Sequence, residues 1–322
     1  MRISFFLSLC FSLLLAATIA EGWYPRPQGE SLLLGQSPAP VIGENQRYFV
    51  DEGENLIKVA RYMGLGYLGL VQANPDIDPW RPPAGQPIVL PYASVLTVPP
   101  RPGITINLAE HRLYLIWESN GLYRVRIYPV GIGKQGTETP EGEFEILQKV
   151  SGPTWRVPES IRAEQPEKPA FIPPGPDNPL GDYWLRFTDR GHGIHGTHKP
   201  YGIGRRISHG CIRLYPEDIK DLFGKVDLGT PVRVLYRPVK VGIRDDTLWL
   251  EIHPDYLERF GRIDLIVEIE KQVRDMNWSY SINRKNLRQA LDEQLGVPVP
   301  ISRSPSLDHV GEDILLYSKE KS

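Results

Sequence analysis

The sequence has little cysteine and no concentration of charge of one sign. Two cysteines, Cys10 and Cys211, stand among 322 residues, which excludes a disulfide-stabilised scaffold. The 37 basic and 39 acidic residues give a net charge of −2, and no long basic run is present. These features argue against a nucleic-acid-binding protein, because such proteins neutralise phosphates with clustered Lys and Arg.

Proline and glycine, in contrast, are abundant. The chain holds 31 Pro and 30 Gly, while 41% of its residues are hydrophobic. This composition favours short strands joined by many turns over a bundle of helices. The length allows two or three domains, of which the larger can bury a substantial core.

An apolar segment of fifteen residues, 3–17, follows Arg2 at the start of the chain. It is too short to span a bilayer comfortably, but it fits the core of a secretory signal peptide, and the small residues of Thr18-Ile19-Ala20 follow it. We therefore expect residues 1–20 to be a signal peptide, with no transmembrane segment after its cleavage. An uncleaved anchor or a buried strand is the alternative. Because Cys10 lies in this segment, Cys211 would be the one cysteine of the mature protein.

A compact unit is predicted for residues 47–92, after a linker rich in Pro, Gly and Ser at residues 21–46. Its hydrophobic pattern predicts a strand, two short helices and a second strand. This order resembles a LysM domain, as do the turn Asp51-Glu-Gly-Glu54 and the ending QANPDID…PAGQPIVLP. The resemblance implies binding to glycans that contain N-acetylglucosamine, such as peptidoglycan. The alternative is a small spacer that binds nothing.

Short alternating strands dominate from residue 100 to residue 237, which predicts a mainly β domain in the form of a sheet or sandwich. Within it, residues 152–180 hold eight prolines, a composition typical of a lid or a binding loop. Residues 238–322 predict a hairpin and two amphipathic helices, near 254–274 and 283–295. We expect this tail to be an α/β extension, and its pattern assigns it no role.

Four of the seven histidines and Cys211 fall between residues 191 and 213, in the sequence GHGIHGTHKPYGIGRRISHGCIR. A thiol close to an imidazole suits nucleophilic catalysis, because the imidazole removes the proton of the thiol and the thiolate attacks a carbonyl. A zinc site is the alternative, since His and Cys are zinc ligands, although the sequence has no zinc motif such as Cys-x-x-Cys or His-Glu-x-x-His. That site would draw on His192, His195, His198, His209 and Cys211.

No cofactor and no metal are expected. The glycine pattern Gly131-Ile-Gly133-Lys-Gln-Gly136 resembles a dinucleotide-binding loop, but turn residues follow it where such a loop needs a helix. We interpret these glycines as a β-turn.

The pattern His195…Ser208-His209-Gly210-Cys211 resembles the signature of YkuD-type L,D-transpeptidases, including the ErfK/YbiS branch. Further motifs of that branch recur between residues 131 and 232, among them Pro174-Gly-Pro-Asp-Asn-Pro-Leu-Gly181. The resemblance covers residues 100–237 and implies a YkuD-type β-sandwich with short helices.

The resemblance also implies roles for individual residues. Cys211 matches the nucleophile and His195 its proton acceptor and donor, whose ring the carbonyl of Gly196 would orient. The N–H groups of Gly210 and Cys211 match an oxyanion hole, and Ser208 and His209 are expected to support the site. Substrate contacts are expected from Arg213, Thr197, Trp155, Tyr183 and Trp184.

The implied activity is transfer of a peptidoglycan stem peptide. The enzyme would attack the bond between the diamino acid and D-alanine of a tetrapeptide stem, form a thioester, and pass the acyl group to an amine. That amine would belong to a second stem or to a lysine of an outer-membrane lipoprotein, and water as acceptor would give an L,D-carboxypeptidase. A non-catalytic wall protein that binds peptidoglycan is the alternative of another class. The expected location is the periplasm.

Overall fold

The computed structural model describes residues 31–33, 39–96, 101–120, 122–278 and 281–302. The expected signal peptide, residues 1–20, lies outside the described residues. The helices, in chain order, are α1 (Leu56–Tyr62), α2 (Tyr67–Gln72), α3 (Glu159–Glu164), α4 (Pro216–Lys225), α5 (Arg262–Asp275) and α6 (Arg284–Glu293). The strands, in chain order, are β1 (Ser31–Leu33), β2 (Val41–Ile42), β3 (Gln46–Phe49), β4 (Pro87–Leu90), β5 (Ser94–Val95), β6 (Gly103–Asn107), β7 (Arg112–Ser119), β8 (Leu122–Pro129), β9 (Ile132–Gly133), β10 (Gly142–Glu145), β11 (Gln148–Ser151), β12 (Trp155–Arg156), β13 (Phe171–Ile172), β14 (Tyr183–Arg186), β15 (Gly193–His195), β16 (Arg206–Ser208), β17 (Ile212–Arg213), β18 (Pro231–Leu235), β19 (Val239–Arg244), β20 (Thr247–Ile252) and β21 (Val299–Pro300).

The central unit, residues 101–237, is mainly β with few helices, as predicted. Six strands form one sheet in the order β1-β8-β7-β6-β18-β10, and four form a second sheet in the order β11-β14-β15-β17. Apolar side chains of both sheets and of α4 share one buried core. Its members include Ile106 and Leu113 from the first sheet, Leu185 and Ile194 from the second, and Leu222 from α4. The second sheet therefore keeps one face in the core and turns its other face away from it.

Helix α4 begins at Pro216, where the fixed φ of proline suits the first helical position and the missing N–H needs no partner. Glu217 and Asp218 lie in its first turn, where negative charge is favoured by the helix dipole. Ile219 and Leu222 are buried on the side that faces the second sheet. The helix therefore fixes the chain that follows Cys211.

The N-terminal unit, residues 39–96, has the predicted order of strand, two helices and strand, with β3 paired antiparallel to β4. Asn55 caps α1 by accepting a hydrogen bond from the Lys58 N–H. Its identity as a LysM domain stays a prediction.

Part of the segment expected to be a linker forms strands. Ser31–Leu33 pairs with β8, and Val41–Ile42 pairs with β5. Strands at the edge of a sheet tolerate the neighbouring prolines, because proline needs only to avoid positions whose N–H must be bonded.

The N-terminal unit contacts the chain that leads to and from Cys211. The Tyr67 N–H donates to the Ile203 carbonyl at 3.2 Å, and the Tyr215 hydroxyl donates to the Leu65 carbonyl at 2.9 Å. Arg61 and Glu217 form an ion pair across the same contact. These bonds join the two units directly beside the segment that carries the histidines and the cysteine.

The C-terminal unit, residues 238–302, is a sheet in the order β19-β20-β21, against which α5 and α6 pack around a separate apolar core. The hairpin and the two helices are present close to the predicted positions. A group of buried charged residues joins this unit to the central one. Its members, which we call the ion cluster, are Glu110, Arg112, Lys240, Glu251 and His253. None of the helices that the structure describes is long and apolar enough to cross a bilayer.

Candidate active site

The candidate site is built on three adjacent strands, β14, β15 and β17. Strands β14 and β15 are antiparallel, whereas β15 and β17 are parallel. Leu185, Ile194 and Ile212 lie side by side across the three strands, and all three are fully buried in the core. Because side chains alternate along a strand, the residues on either side of this row point to the opposite face.

That opposite face carries two rows of residues. In the first row Arg186 pairs with Gly193, and the register places Cys211 on the other side of Gly193. In the second row Trp184 pairs with His195, which pairs with Arg213. We call these residues the catalytic face: Trp184, Arg186, Gly193, His195, Cys211 and Arg213. The register therefore brings the histidine and the cysteine of the sequence motif onto one surface.

Cys211 is partly exposed at the start of β17. Burial raises the pKa of its thiol, and the Gly193 N–H and the Arg213 guanidinium act in the opposite direction without cancelling that effect. The resting thiol is therefore protonated at neutral pH and needs a base to become a nucleophile.

His195 lies on the same face and has the chemistry of such a base. Its ring is 3% exposed, and its Nδ1 lies 2.6 Å from the Gly196 carbonyl oxygen. Because a carbonyl only accepts hydrogen bonds, Nδ1 carries the proton and Nε2 keeps a free lone pair. Burial, together with the nearby Arg213 charge, lowers the pKa of His195 to about 3. The ring is therefore neutral at physiological pH.

Ser208 fixes the segment before Cys211. Its hydroxyl donates to the Cys211 carbonyl at 2.5 Å and accepts from the Gly210 N–H at 3.1 Å. Gly210 has a φ of +101°, a backbone conformation that favours glycine. The Gly210 N–H expected in an oxyanion hole is thus bonded within the loop, whereas no group of the described residues accepts from the Cys211 N–H.

The glycine at position 193 makes room for an indole ring. A Cβ built on Gly193 would lie only 2.5 Å from the Trp184 ring, so the indole occupies the space directly above this glycine. The ring centroids of Trp184 and His195 are 5.7 Å apart. Trp184 therefore forms an aromatic surface beside both His195 and the position of Cys211.

The other predicted site residues lie in different surroundings. Tyr183 points to the core face of the sheet, because it neighbours Trp184 in the strand, and its ring packs against Phe223 of α4. Trp155 lies on the separate hairpin of β12 and β13, with the Lys168 ammonium 5.6 Å from its ring centroid. Thr197 is buried and accepts from the Lys199 N–H. His209 is exposed next to Gly210.

Sequence reasoning missed Arg186 and named His192 only as a ligand of the alternative zinc site. The alternation of Trp184, Leu185 and Arg186 along one strand is the signal that could have identified Arg186 as a neighbour of Trp184. The His192 ring lies against Gly210, 2.9 Å from where a Cβ would be.

The part of the chain that the structure describes brings three metal-ligating side chains together at one place, Glu110, Glu251 and His253. The Lys240 ammonium lies between the two carboxylates, 2.7 Å from Glu110 and 3.0 Å from Glu251. The cation there is thus the lysine itself. The histidines between residues 191 and 213 do not converge with Cys211 in this way among the described residues.

Comparison with known proteins identifies the family of the chain. Residues 101–234 match the YkuD family, described as an L,D-transpeptidase catalytic domain. A protein of Escherichia coli (strain K12) named "Probable L,D-transpeptidase YcfS" is 33% identical over 309 residues, which span 92% of this chain and 94% of that protein. A second protein of that strain, named "Probable L,D-transpeptidase ErfK/SrfK", is 35% identical over 308 residues, which span 91% and 96% of the two chains. The protein of the same name from Salmonella typhimurium is 35% identical over 293 residues, which span 87% and 91%.

Identity at this level over nearly the whole length of each relative shows common descent of the whole chain and not of one motif alone. The chain therefore belongs to the YkuD family of L,D-transpeptidases and is an enzyme of that class.

Proposed function

We propose that this L,D-transpeptidase, whose family acts on peptidoglycan, cleaves the bond between the diamino acid and D-alanine of a tetrapeptide stem through a thioester on Cys211. The observation that carries the proposal is the strand register that sets Cys211 and His195 on one face, with Nδ1 of His195 bonded to the Gly196 carbonyl. An acyl transfer needs a nucleophile and a base in this relation.

In the first half-reaction, His195 Nε2 takes the proton from Cys211 Sγ while the sulfur attacks the carbonyl carbon of the diamino acid. The tetrahedral intermediate then collapses, the carbon–nitrogen bond breaks, and D-alanine leaves with the proton that His195 held. The product is a thioester between the stem and Cys211.

In the second half-reaction, an unprotonated amine attacks the thioester and gives a proton to His195. The carbon–sulfur bond breaks, and His195 returns the proton to the sulfur. The new amide joins two stems if the amine belongs to a second stem, or attaches a lipoprotein if it belongs to a lysine. Water in place of the amine would release a free tripeptide stem, which is carboxypeptidase activity.

Two features of the site support this sequence of proton transfers. The raised pKa of the Cys211 thiol and the lowered pKa of His195 favour a neutral pair in the resting enzyme, which protects the thiol until a substrate arrives. The Cys211 N–H is a backbone donor in position to meet the oxygen that becomes negative, because it belongs to the attacking residue itself.

We also propose that the protein is exported to the periplasm after loss of residues 1–20, and that the N-terminal unit binds glycan strands. The contacts of that unit with Ile203 and Tyr215 support a coupled role, since they would hold a bound glycan at a fixed distance from Cys211.

The experiment that tests the proposal is mass spectrometry of the intact enzyme mixed with a disaccharide-tetrapeptide. The expected result is an acyl adduct with simultaneous release of free D-alanine, absent in Cys211→Ala and present in a variant of an exposed loop histidine, His198→Ala. An adduct that survives Cys211→Ala would contradict the proposal. Tight binding to sacculi by an enzyme that never forms the adduct would favour a non-catalytic wall protein.

Adding purified acceptors to the acylated enzyme then identifies the second substrate. A stem dimer, a lipoprotein adduct or a free tripeptide each has its own mass, so one experiment separates the three acceptors.

A further inference from the structure

Arg186 makes no ion pair with a described residue. Its side chain is half-buried, and its Nε is buried without a hydrogen-bond partner among those residues. By contrast, the guanidinium of Arg126, on the first sheet, is paired with Asp221 at 2.6 Å. A buried guanidinium nitrogen that makes no hydrogen bond is costly in free energy, so its presence on a functional surface points to a ligand that completes the guanidinium.

The register places this guanidinium on the catalytic face, at the opposite end of the row from Cys211. Arg186 pairs with Gly193, and Cys211 lies one strand further. Two strand spacings of about 4.8 Å separate the Cα atoms of Arg186 and Cys211 by roughly 10 Å. The Trp184 indole lies over Gly193 between them. The surface between the Arg186 guanidinium and the Cys211 thiol is therefore aromatic, because Gly193 has no Cβ that would displace the indole.

The position of His195 sets the direction of the substrate. D-alanine must leave beside His195, which gives it a proton, and the row of His195 also holds Arg213. The leaving residue and its terminal carboxylate therefore lie toward Arg213. The retained part of the donor must extend from Cys211 in another direction, and the path across Gly193 leads to Arg186.

Resting on the proposed function, we propose that Arg186 is a specificity-determining residue that binds a free carboxylate on the retained acyl part of the donor stem, while the apolar chain of that part crosses Trp184. Two carboxylates have the right chemistry, that of the diamino-acid side chain and that of the γ-linked acidic residue before it. A planar guanidinium recognises either by two parallel hydrogen bonds.

The test compares three donors with the full-length enzyme: the native disaccharide-tetrapeptide, the same molecule amidated on the diamino acid, and the same molecule amidated on the preceding acidic residue. The readout is kcat/KM for D-alanine release. Arg186→Gln is expected to lower kcat/KM by about 10- to 100-fold on the native donor, the range for a lost charged hydrogen bond. For one of the two amidated donors, wild-type kcat/KM is expected to be lower than for the native donor by the same factor. Arg186→Gln should not lower kcat/KM further on that donor, and the amidated position then identifies the carboxylate that Arg186 binds.

Two variants serve as controls. Arg190→Gln removes an exposed arginine from the turn after β14 and should leave all three rates within about twofold. Arg186→Lys keeps the charge but loses the planar geometry, so it should recover part of the preference for the native donor. If Arg186→Gln does not fold, the ratio of rates on native and amidated donors is measured with Arg186→Lys.

Each result decides the matter. Equal losses of Arg186→Gln on all three donors, or no loss on any, would overturn the assignment of Arg186 while D-alanine release by wild type upholds the proposed function. Failure of wild-type enzyme to release D-alanine from any donor would remove the proposed function, and this assignment with it.

Discussion

Two groups of buried polar residues in this protein are arranged in opposite ways. In the ion cluster each carboxylate has a cation beside it: Lys240 lies 2.7 Å from Glu110 and 3.0 Å from Glu251, and Arg112 lies 3.0 Å from Glu251. On the catalytic face, Arg186 and Arg213 each bury an Nε that has no partner among the described residues. The carboxylates of the ion cluster find their counter-charges within the protein, whereas the partner that we propose for Arg186 is a substrate.

The ion cluster is a structural junction. Glu110 and Arg112 belong to the central unit, whereas Lys240, Glu251 and His253 belong to the C-terminal unit. The Glu251 carboxylate also accepts from the backbone N–H of Val95, at the end of the N-terminal unit, at 2.6 Å. Burial alone raises the pKa of Glu251, but Lys240, His253 and Arg112 outweigh it and hold that pKa below its ordinary value. Glu251 therefore stays ionised, and its contacts fix three units to one another.

The catalytic face shows the converse arrangement. Burial raises the pKa of the Cys211 thiol and lowers that of His195, so both groups are neutral at rest. Their environment suits the reaction and adds little to the stability of the fold. The comparison teaches that paired buried charges join the units of this protein, whereas the candidate site carries a neutral thiol and imidazole and arginines without an internal partner for Nε.

The largest expected effect is a loss of activity from a change on the catalytic face. Replacing His195 by Gln should lower D-alanine release by about 10³-fold, because the general base and acid is lost. The free energy of unfolding should fall by no more than about 2 kcal/mol, since one hydrogen bond to Gly196 is weakened. Single-turnover release of D-alanine and urea unfolding measure the two quantities. A change in stability without a loss of rate would contradict the comparison.

The second effect is on stability. Lys240→Met leaves Glu110 and Glu251 buried without their shared cation, so the free energy of unfolding should fall by about 3–5 kcal/mol. The activity of each folded molecule should be unchanged. Urea unfolding is the measurement, and Lys271→Met, on the exposed face of α5, is the matched control, with an expected change within about 0.5 kcal/mol. A loss below 1 kcal/mol for Lys240→Met would show that the cluster is not a junction.

A third effect is the pH dependence of stability. Burial, with the charges of His253 and Arg206, lowers the pKa of His111 to about 3. Between about pH 6.5 and that value the unfolded chain binds a proton that the folded one does not, so acid destabilises the fold there, by up to about 1.4 kcal/mol per pH unit from this residue. Below about pH 3 its contribution is constant.

The variant His111→Asn tests this pH dependence of stability. His111 has a φ of +55°, a conformation that Asn tolerates well. The stability of wild type relative to the variant should shrink as the pH falls from 6.5 toward 3, as measured by urea unfolding at a series of pH values. A difference that is independent of pH would show that His111 is not held neutral.

The smallest expected effect is that of pH on kcat/KM. Because the pKa of His195 is lowered to about 3 and that of Cys211 is raised, kcat/KM should vary less than about twofold between pH 5 and pH 8. An inflection near the ordinary histidine pKa of 6.5 would place His195 in a more solvated setting than the structure gives it. D-alanine release at constant ionic strength is the measurement.

Local patterns in the sequence predicted the elements well. The strand–helix–helix–strand order of the N-terminal unit and the C-terminal hairpin are both present, because turn residues and hydrophobic spacing act over a few residues. The pairing of Ser31–Leu33 with β8 was not predicted, since an edge strand of three residues has no such pattern.

The site could be predicted only in part, because local patterns do not show which strands pair. The chain distance between His195 and Cys211 is short, and their motif is dense enough to stand out. Tyr183 and Trp184 are adjacent in sequence, so sequence reasoning expected both at the substrate, yet adjacent residues of a strand point to opposite faces. Arg186 carries no motif, and its nearness to the thiol arises from the pairing of β14 with β15.

The sequence by itself determined the chemistry available to this protein, since one thiol and a set of histidines in a glycine-rich segment limit what reaction its site can perform. The tertiary structure decided which charged side chains have a counter-charge beside them and which do not. Glu110, Lys240 and Glu251 are distant in the chain, and only packing of the units makes them one cluster. Burial then sets the pKa of each group, because desolvation depends on the neighbours that the fold supplies and not on the residue alone.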